Sequence, residues 1–211
     1  MSKDANFWNR IAEKYAASPI RDTAGYEATL DLTRAHLKPS DRVLELGCGT
    51  GTTALKLAPN VAHITASDFA GAMIDICKTR AAEQGIENID FLTADPFDRG
   101  FDGQDYDVVM GWNFYHLMED MPAGFRRSHD LLKPGGLLVA KTPSLGSTPF
   151  FKRLFLRMVV RVLQLLGKAP SVAFVTIDEV ETAVTSAGFE ILETRNSGGM
   201  VPRSYLVARK A

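Results

Sequence analysis

Val43-Leu44-Glu45-Leu46-Gly47-Cys48-Gly49-Thr50-Gly51 passes from an apolar run, through an acid, into three alternating glycines, and a helix-forming segment follows. A strand, a sharp turn and a helix in that order make a cofactor-binding unit. Glycines let the backbone enter conformations closed to other residues and let a ligand approach without meeting a Cβ, and the helix start directs free N–H groups at it. The spacing narrows the ligand. A dinucleotide fingerprint needs glycine or alanine three positions after its second glycine. Thr52 stands there, and the last glycine, Gly51, comes one step early. The ligand expected is a nucleotide-like cofactor without a pyrophosphate.

Outward from the turn, strand-like runs recur at Val43–Leu46, His63–Ser67, Ile89–Thr93, Asp107–Gly111 and Gly136–Lys141, with helical spacing between the earlier ones. That alternation predicts a parallel sheet with helices on both faces. Met73, Ile76, Cys77 and Ala81 share one face of a helix stopped by Gly85. Pro122 opens a helix to about Leu132, and Lys133-Pro134-Gly135-Gly136 should end it. Phe189–Arg195 and Arg203–Ala208 read as two further strands in an antiparallel hairpin turning at Asn196-Ser197-Gly198-Gly199. Phe7–Ala17 and Thr23–Leu37 form an N-terminal helical cap over 1–38. The class expected is α/β, a Rossmann-like three-layer sandwich with a seven-stranded mostly parallel sheet, and 143–175 is an insertion after the fifth strand.

With 211 residues, 45% of them hydrophobic, one domain spanning 1–211 is the expectation. A net charge of −1 gives no whole-protein attraction to nucleic acid, so no nucleic-acid partner is expected. Cys48 and Cys77 lack metal-ligand spacing, and no metal site is expected. Met1–Lys14 has no signal-like apolar core and no run reaches the roughly 18 residues a spanning helix needs. A cytoplasmic protein follows, with peripheral contact at the inner face of the membrane open through the insertion.

Ligands of open parallel sheets lie at the carboxyl ends of the strands. Glu45 and the glycines follow the first run, Asp68 closes the second, Asp95 follows the third and Gly111-Trp112-Asn113 the fourth. Asp68, 21 residues beyond Gly47, suits a carboxylate that accepts bonds from two ribose hydroxyls, or a plain helix cap. Asp95 could accept from an adenine amine, with Phe97 or Met73 against the ring, or could be an ordinary turn residue before Pro96.

In this order and spacing the chain resembles the class I S-adenosylmethionine-dependent methyltransferases from Phe7 to the C-terminus. Glu45 to Gly51 matches that family's glycine motif, Ser67-Asp68 with Met73 its ribose and adenine segment, and Ala94-Asp95 its adenine-amine motif. Tyr106-Asp107-Val108-Val109 matches its fourth strand, Leu131 to Gly136 the loop before its fifth, and Phe7-Trp8 with Ala12 and Tyr15 an aromatic helix closing over the cofactor. The resemblance implies S-adenosylmethionine as cofactor and S-adenosylhomocysteine as product. It also implies contact through Tyr15, Glu45, Gly47, Cys48, Gly49, Thr50, Gly51, Asp68, Phe69, Met73, Ala94, Asp95, Phe97, Gly111 and Asn113. Two departures qualify it. Pro96 has no N–H, so a backbone bond to adenine must come from Phe97 or water. Trp112-Asn113-Phe114-Tyr115 lacks the Asn/Asp-Pro-Pro-Tyr/Phe pattern of enzymes that methylate nucleic-acid amines or protein glutamine.

The implied reaction is in-line displacement on a sulfonium methyl, in which protein groups position and desolvate. His116 is the candidate base, with a histidine tucked against the sheet as the bland alternative, and Tyr15 a second candidate at the methyl-transfer site. Phe150 to Gly167 carries Lys152, Arg153, Arg157 and Arg161 and no acid among Phe, Leu, Val and Met. Such a segment is either an interfacial helix on an anionic membrane or a lid packed on the sheet with solvated arginines. Small bacterial phospholipid N-methyltransferases are similar in length and in a basic apolar segment of this kind, which puts a phosphatidylethanolamine-like amine first among acceptors. A soluble methyltransferase for a small metabolite or quinone precursor, with the insertion as hydrophobic lid, is the alternative. A non-catalytic binding module and an NAD-dependent oxidoreductase stand further off.

Overall fold

The computed structural model describes residues 3–197 and 201–211, which fall into two compact units, Met1–Met110 and Gly111–Ala211. In the first unit, α1 (Lys3–Ala16) and α2 (Thr23–Arg34) precede β1 (Arg42–Leu46), α3 (Thr52–Leu57), β2 (His63–Asp68), α4 (Gly71–Gln84), β3 (Ile89–Thr93) and most of β4 (Tyr106–Trp112). Val43, Leu44, Glu45 and Leu46 are all buried, the mark of a strand covered on both faces. β2 runs parallel between β1 and β3, and Leu46 faces Ser67 while Asp68 faces Thr93. Three strand ends therefore finish at one edge.

α4 ends as expected, with Gly85 left-handed and its N–H bonded to the carbonyls of Ala81 and Ala82. The face it buries is Met73, Ile74, Cys77 and Ala81, so Ile74 joins the core where the periodicity put Ile76. Ile76 is used differently. With Trp8, Phe69 and Ala72 it packs on a buried cluster of Ala12, Ala70 and Met73, which seats α1 against α4.

The second unit holds the end of β4, then α5 (Met121–Leu131), β5 (Leu132–Pro143), α6 (Phe150–Leu165), α7 (Ile177–Ser186), β6 (Phe189–Ser197) and β7 (Arg203–Lys210). Asp120 caps α5 by accepting from the Ala123 N–H, with Pro122 in the first turn. Extended backbone already begins at Leu132 rather than after Gly136, with Gly135 at φ 74°, although pairing with β7 starts at Leu137. α7 opens with a capping box between Thr176 and Glu179. β7 is antiparallel to both β5 and β6. Of the expected hairpin turn, Gly198 and Gly199 lie outside the described residues.

The strand order among the described residues is β3-β2-β1-β4-β5-β7-β6, which reverses direction between β1 and β4. That reversal puts the carboxyl end of β1 at the switch point, where open α/β sheets bind ligands. α6 departs from every other long element in burying none of its residues. Among the described residues, no helix is long and apolar enough to cross a membrane.

Candidate active site

Gly47, Gly49 and Gly51 take φ values of 66°, 54° and 75°, a left-handed conformation at every second residue that side chains with a Cβ resist. The turn is clamped by the Cys48 N–H donating to the Ser67 carbonyl at 2.9 Å and the Gly51 N–H to the Cys48 carbonyl at 3.0 Å. The glycines differ in purpose. A Cβ on Gly51 would lie 2.9 Å from Cys77 Sγ and 3.3 Å from the Phe91 ring, so packing forbids it. A Cβ on Gly49 would meet only the Tyr15 ring, at 3.9 Å, so Gly49 has open space beside it.

Asp68 ties the turn to the next helix. Its Oδ2 accepts from the Gly49 N–H at 3.0 Å and its Oδ1 from the Ala70 N–H at 2.9 Å. Burial raises its carboxyl, against which those two bonds work. Each oxygen keeps a second lone pair for a hydroxyl donor. Glu45 is 1% exposed; the Ala54 N–H bonds its carboxylate, yet its Oε2 has no partner. Burial pushes its carboxyl up to about 8, opposed by the Ala54 bond and reinforced by the charge of Asp68. An unpartnered buried carboxylate oxygen in this position suits an ammonium group.

At the end of β3, Asp95 is exposed and its Oδ1 accepts from the Phe97 N–H at 2.9 Å. That bond occupies the N–H expected to reach an adenine, because Pro96 bends the chain into a turn closed by the Asp95 side chain. Asp95 Oδ2 and the Phe97 ring, 48% exposed, remain outward. Ala94 bonds the Asp68 carbonyl through its N–H and is half-buried. Met73, expected against the ring, is 1% exposed inside the α1–α4 cluster, so packing that seats the cap removes it from a ligand-facing position. Phe69, in the same cluster, is half-buried.

The cap reaches the turn through Tyr15, 47% exposed, whose ring stands edge-on to Trp8 at 5.8 Å. Burial of its hydroxyl and the nearby Asp68 charge raise its pKa. Three residues that no motif marks hold this arrangement. Arg80 donates to the carbonyls of Thr50 (3.1 Å) and Ala16 (2.9 Å), bracing the end of α1 on the glycine turn. Asn9 Oδ1 accepts from the Ala72 N–H at 2.9 Å, and Cys77 Sγ donates to the Gly49 carbonyl at 3.1 Å. An arginine on a helix carries no sequence signal of this kind; only the fold brings it within reach. Cys48 and Cys77 are free and buried, and their mutual bond with burial raises the Cys48 thiol. Among the described residues no His, Cys, Asp and Glu group could hold a metal.

In the second unit, a Cβ on Gly111 would lie 2.4 Å from the Tyr115 ring, so this glycine makes room for a neighbour rather than for a ligand. Tyr115 is fully buried, stacked on Phe125 at 4.2 Å and bonded to Ser128 Oγ at 2.9 Å. Asn113 is exposed, has φ 54° and donates its N–H to the Lys141 carbonyl at 2.7 Å. His116 is buried, its Nδ1 has no partner, and desolvation lowers its pKa to about 4. Its carbonyl accepts the Ala173 N–H at 2.7 Å, which pins the segment after α6 across it. The imidazole is thus neutral at physiological pH and a hydrogen-bonding group more than a strong base.

An ammonium partner at Glu45, open glycine backbone, a carboxylate with free lone pairs at Asp68 and an exposed ring at Phe97 fit the parts of an amino-acid nucleoside. A family model described as a methyltransferase domain matches residues 43–136. The chain is 29% identical over 170 residues to a demethylmenaquinone methyltransferase of Clavibacter sepedonicus, covering 74% of this chain and 68% of that protein. It is 28% identical over 189 residues to the ubiquinone/menaquinone biosynthesis C-methyltransferase UbiE of Coxiella burnetii, covering 81% and 75%. Its fold is like that of the N-methyltransferase NodS of Bradyrhizobium japonicum WM9, solved with S-adenosyl-L-homocysteine, with a TM-score of 0.69 at 18% identity over 96% of this chain and 98% of that one. Residues 43–136 thus carry a methyltransferase domain, and the glycine turn and sheet around them are fitted for S-adenosylmethionine.

Proposed function

We propose that this methyltransferase acts on a small, largely apolar acceptor of the quinone-precursor kind, at an ionisable enol or phenol. The observation that carries the reading is the turn after β4. Trp112 to Met118 is built of aromatic and apolar residues around Asn113 and a desolvated, neutral His116, and holds no carboxylate. An amine acceptor arrives as a cation and calls for an acid to recognise it; an enol or phenol calls for apolar walls and a hydrogen bond. The two quinone-pathway relatives support the same choice.

When bound, S-adenosylmethionine supplies a methyl group activated by its sulfonium charge. In our reading Glu45 holds the ammonium of its methionine end, the backbone from Gly47 through Cys48, Gly49 and Thr50 to Gly51 cradles that end, and Asp68 takes the ribose hydroxyls. Asp95, Ala94, Phe69 and Phe97 face the adenine. Tyr15 covers the turn and helps keep water from the reacting carbon. His116 Nδ1 orients the acceptor oxygen by a hydrogen bond. Since its imidazole is a weak base, the acceptor must lose its proton largely through its own acidity.

A phospholipid amine is the second reading, and the uncovered apolar face of α6 is what favours it. One incubation separates the two: labelled S-adenosylmethionine with a lipid extract and, separately, with a hydroxylated naphthoquinol. Label in the naphthoquinol alone supports the proposal, and label in the aminophospholipid alone refutes it.

A further inference from the structure

An interfacial helix and a lid on the sheet differ in which face of α6 meets the protein. At about 100° per residue, Phe151, Phe155, Met158, Val162 and Leu165 share an arc of about 80° on α6. Their exposures are 84%, 65%, 63%, 54% and 83%. The opposite side is the one held by the protein. Arg153 donates to the Gly146 carbonyl at 2.8 Å, the Arg157 guanidinium lies 5.4 Å from the centre of the Phe174 ring, and Gln164 donates to the Pro170 carbonyl at 2.9 Å. These three fall within an arc of about 40° centred roughly opposite the apolar one. A lid would turn Phe151 and Leu165 inward, whereas here those side chains face out and it is Arg153 and Arg157 that meet the protein's own loops.

What covers the apolar face is indicated by charge. Lys152 and Arg161 flank the arc on either side, Lys168 follows, and no acidic residue occurs between Asp130 and Asp178. A second copy laid face to face would bring a stretch with cations and no acids against its like. An anionic lipid headgroup layer is complementary, with the apolar arc in the acyl boundary and flanking cations at the phosphates.

We infer that α6 is a peripheral membrane-docking helix whose outward arc, Phe151, Phe155, Met158, Val162 and Leu165, lies in the surface of an anionic phospholipid bilayer. The span is too short and too charged on one side to cross. The segment that continues from it is the one bonded to the His116 carbonyl and, through the Val175 carbonyl, to the Gly146 N–H. Docking therefore sets the membrane beside the acceptor turn, where either a quinone precursor or a lipid amine would enter. The inference holds for both acceptors and does not rest on the choice between them.

The test is flotation of full-length protein with phosphatidylcholine vesicles, with and without phosphatidylglycerol. The protein should float with the anionic vesicles, less with neutral ones, and less at high salt. A Phe151→Ser/Phe155→Ser variant should lose roughly tenfold or more of the bound fraction. Arg161→Glu should lose severalfold on anionic vesicles and little on neutral ones. Unchanged S-adenosylhomocysteine binding shows that each variant is folded. Wild-type protein that stays with the dense fraction overturns the inference, as does a double serine variant that floats equally well. A vesicle-free dimer that the double variant dissociates, without flotation of wild type, assigns the face to a second copy instead.

Discussion

The glycine turn and α6 are built on opposite terms. Around the turn, backbone N–H groups, Asp68, Cys77 and Arg80 close on one another, and a single added carbon at Gly51 has nowhere to go. α6 buries no residue and is tied down by a few polar side chains on one side. The difference teaches where specificity resides. A rigid, over-determined turn is suited to one invariant donor, while an element that spends nothing on the core is free to serve an acceptor or a surface. Substitutions in the two places should therefore fail differently.

The largest contrast is expected between Gly51→Val and Phe151→Ser. The first forces a Cβ-branched side chain into positive φ against Cys77 and should cost about 3 kcal/mol or more in urea unfolding, with loss of cofactor binding. The second should stay within about 0.5 kcal/mol of wild type because the side chain is already in solvent. Gly49→Ala sharpens the point: strain of about 1–2 kcal/mol in stability, and a cofactor affinity that falls further than stability explains. Equal effects at Gly49 and Gly51 would break the division between packing glycine and ligand-facing glycine.

Next in size is Asp68→Asn. An amide keeps one acceptor oxygen but cannot accept from both the Gly49 and Ala70 N–H groups and hydroxyls as well, so S-adenosylhomocysteine affinity measured by calorimetry should fall roughly 10–100-fold. An unchanged affinity would leave Asp68 as a brace between the glycine turn and the start of α4 and nothing more.

A smaller effect is legible in pH. The folded Glu45 carboxyl titrates near 8, above its ordinary value of 4.5, so the native state holds a proton that the unfolded chain has lost. Its contribution is full below about pH 4.5 and declines as pH rises through 8. Glu45→Gln should flatten that part of the profile in urea unfolding between pH 5 and about 8. A bound ammonium should shift the carboxyl back towards ionised, so cofactor binding should release a proton near neutral pH.

His116→Gln should change least. With a pKa near 4 the imidazole adds no ionisation between pH 6 and 8, so kcat should drop by less than roughly tenfold and its pH profile should keep its shape there. Loss of a limb in that range would restore His116 as the base.

That Glu45, the glycines, Asp68 and Asp95 stand at the ends of β1, β2 and β3 could be read in the sequence because alternating strands and helices fix their spacing along the chain, while their roles toward a cofactor are proposals. The same holds for the parallel strands, whose apolar runs are continuous. Spacing says nothing of contacts across the fold. It put Met73 against a ring, when packing on Ala12 and Ala70 claims that side chain. It left Arg80 unmarked and gave Phe97 an N–H that Asp95 already holds. The amphipathic pattern of 150–167 revealed two faces without saying which one the protein keeps, and that was decided by tertiary bonds of Arg153 and Arg157.

Calorimetric titration of S-adenosylhomocysteine into wild type, Asp68→Asn and Phe151→Ser/Phe155→Ser tests the central claim, that the donor is held at the turn and independently of α6. One molecule per chain should bind wild type and the α6 variant alike, and Asp68→Asn much more weakly. Absence of binding by folded wild-type protein, or an α6 variant as impaired as Asp68→Asn, would contradict it.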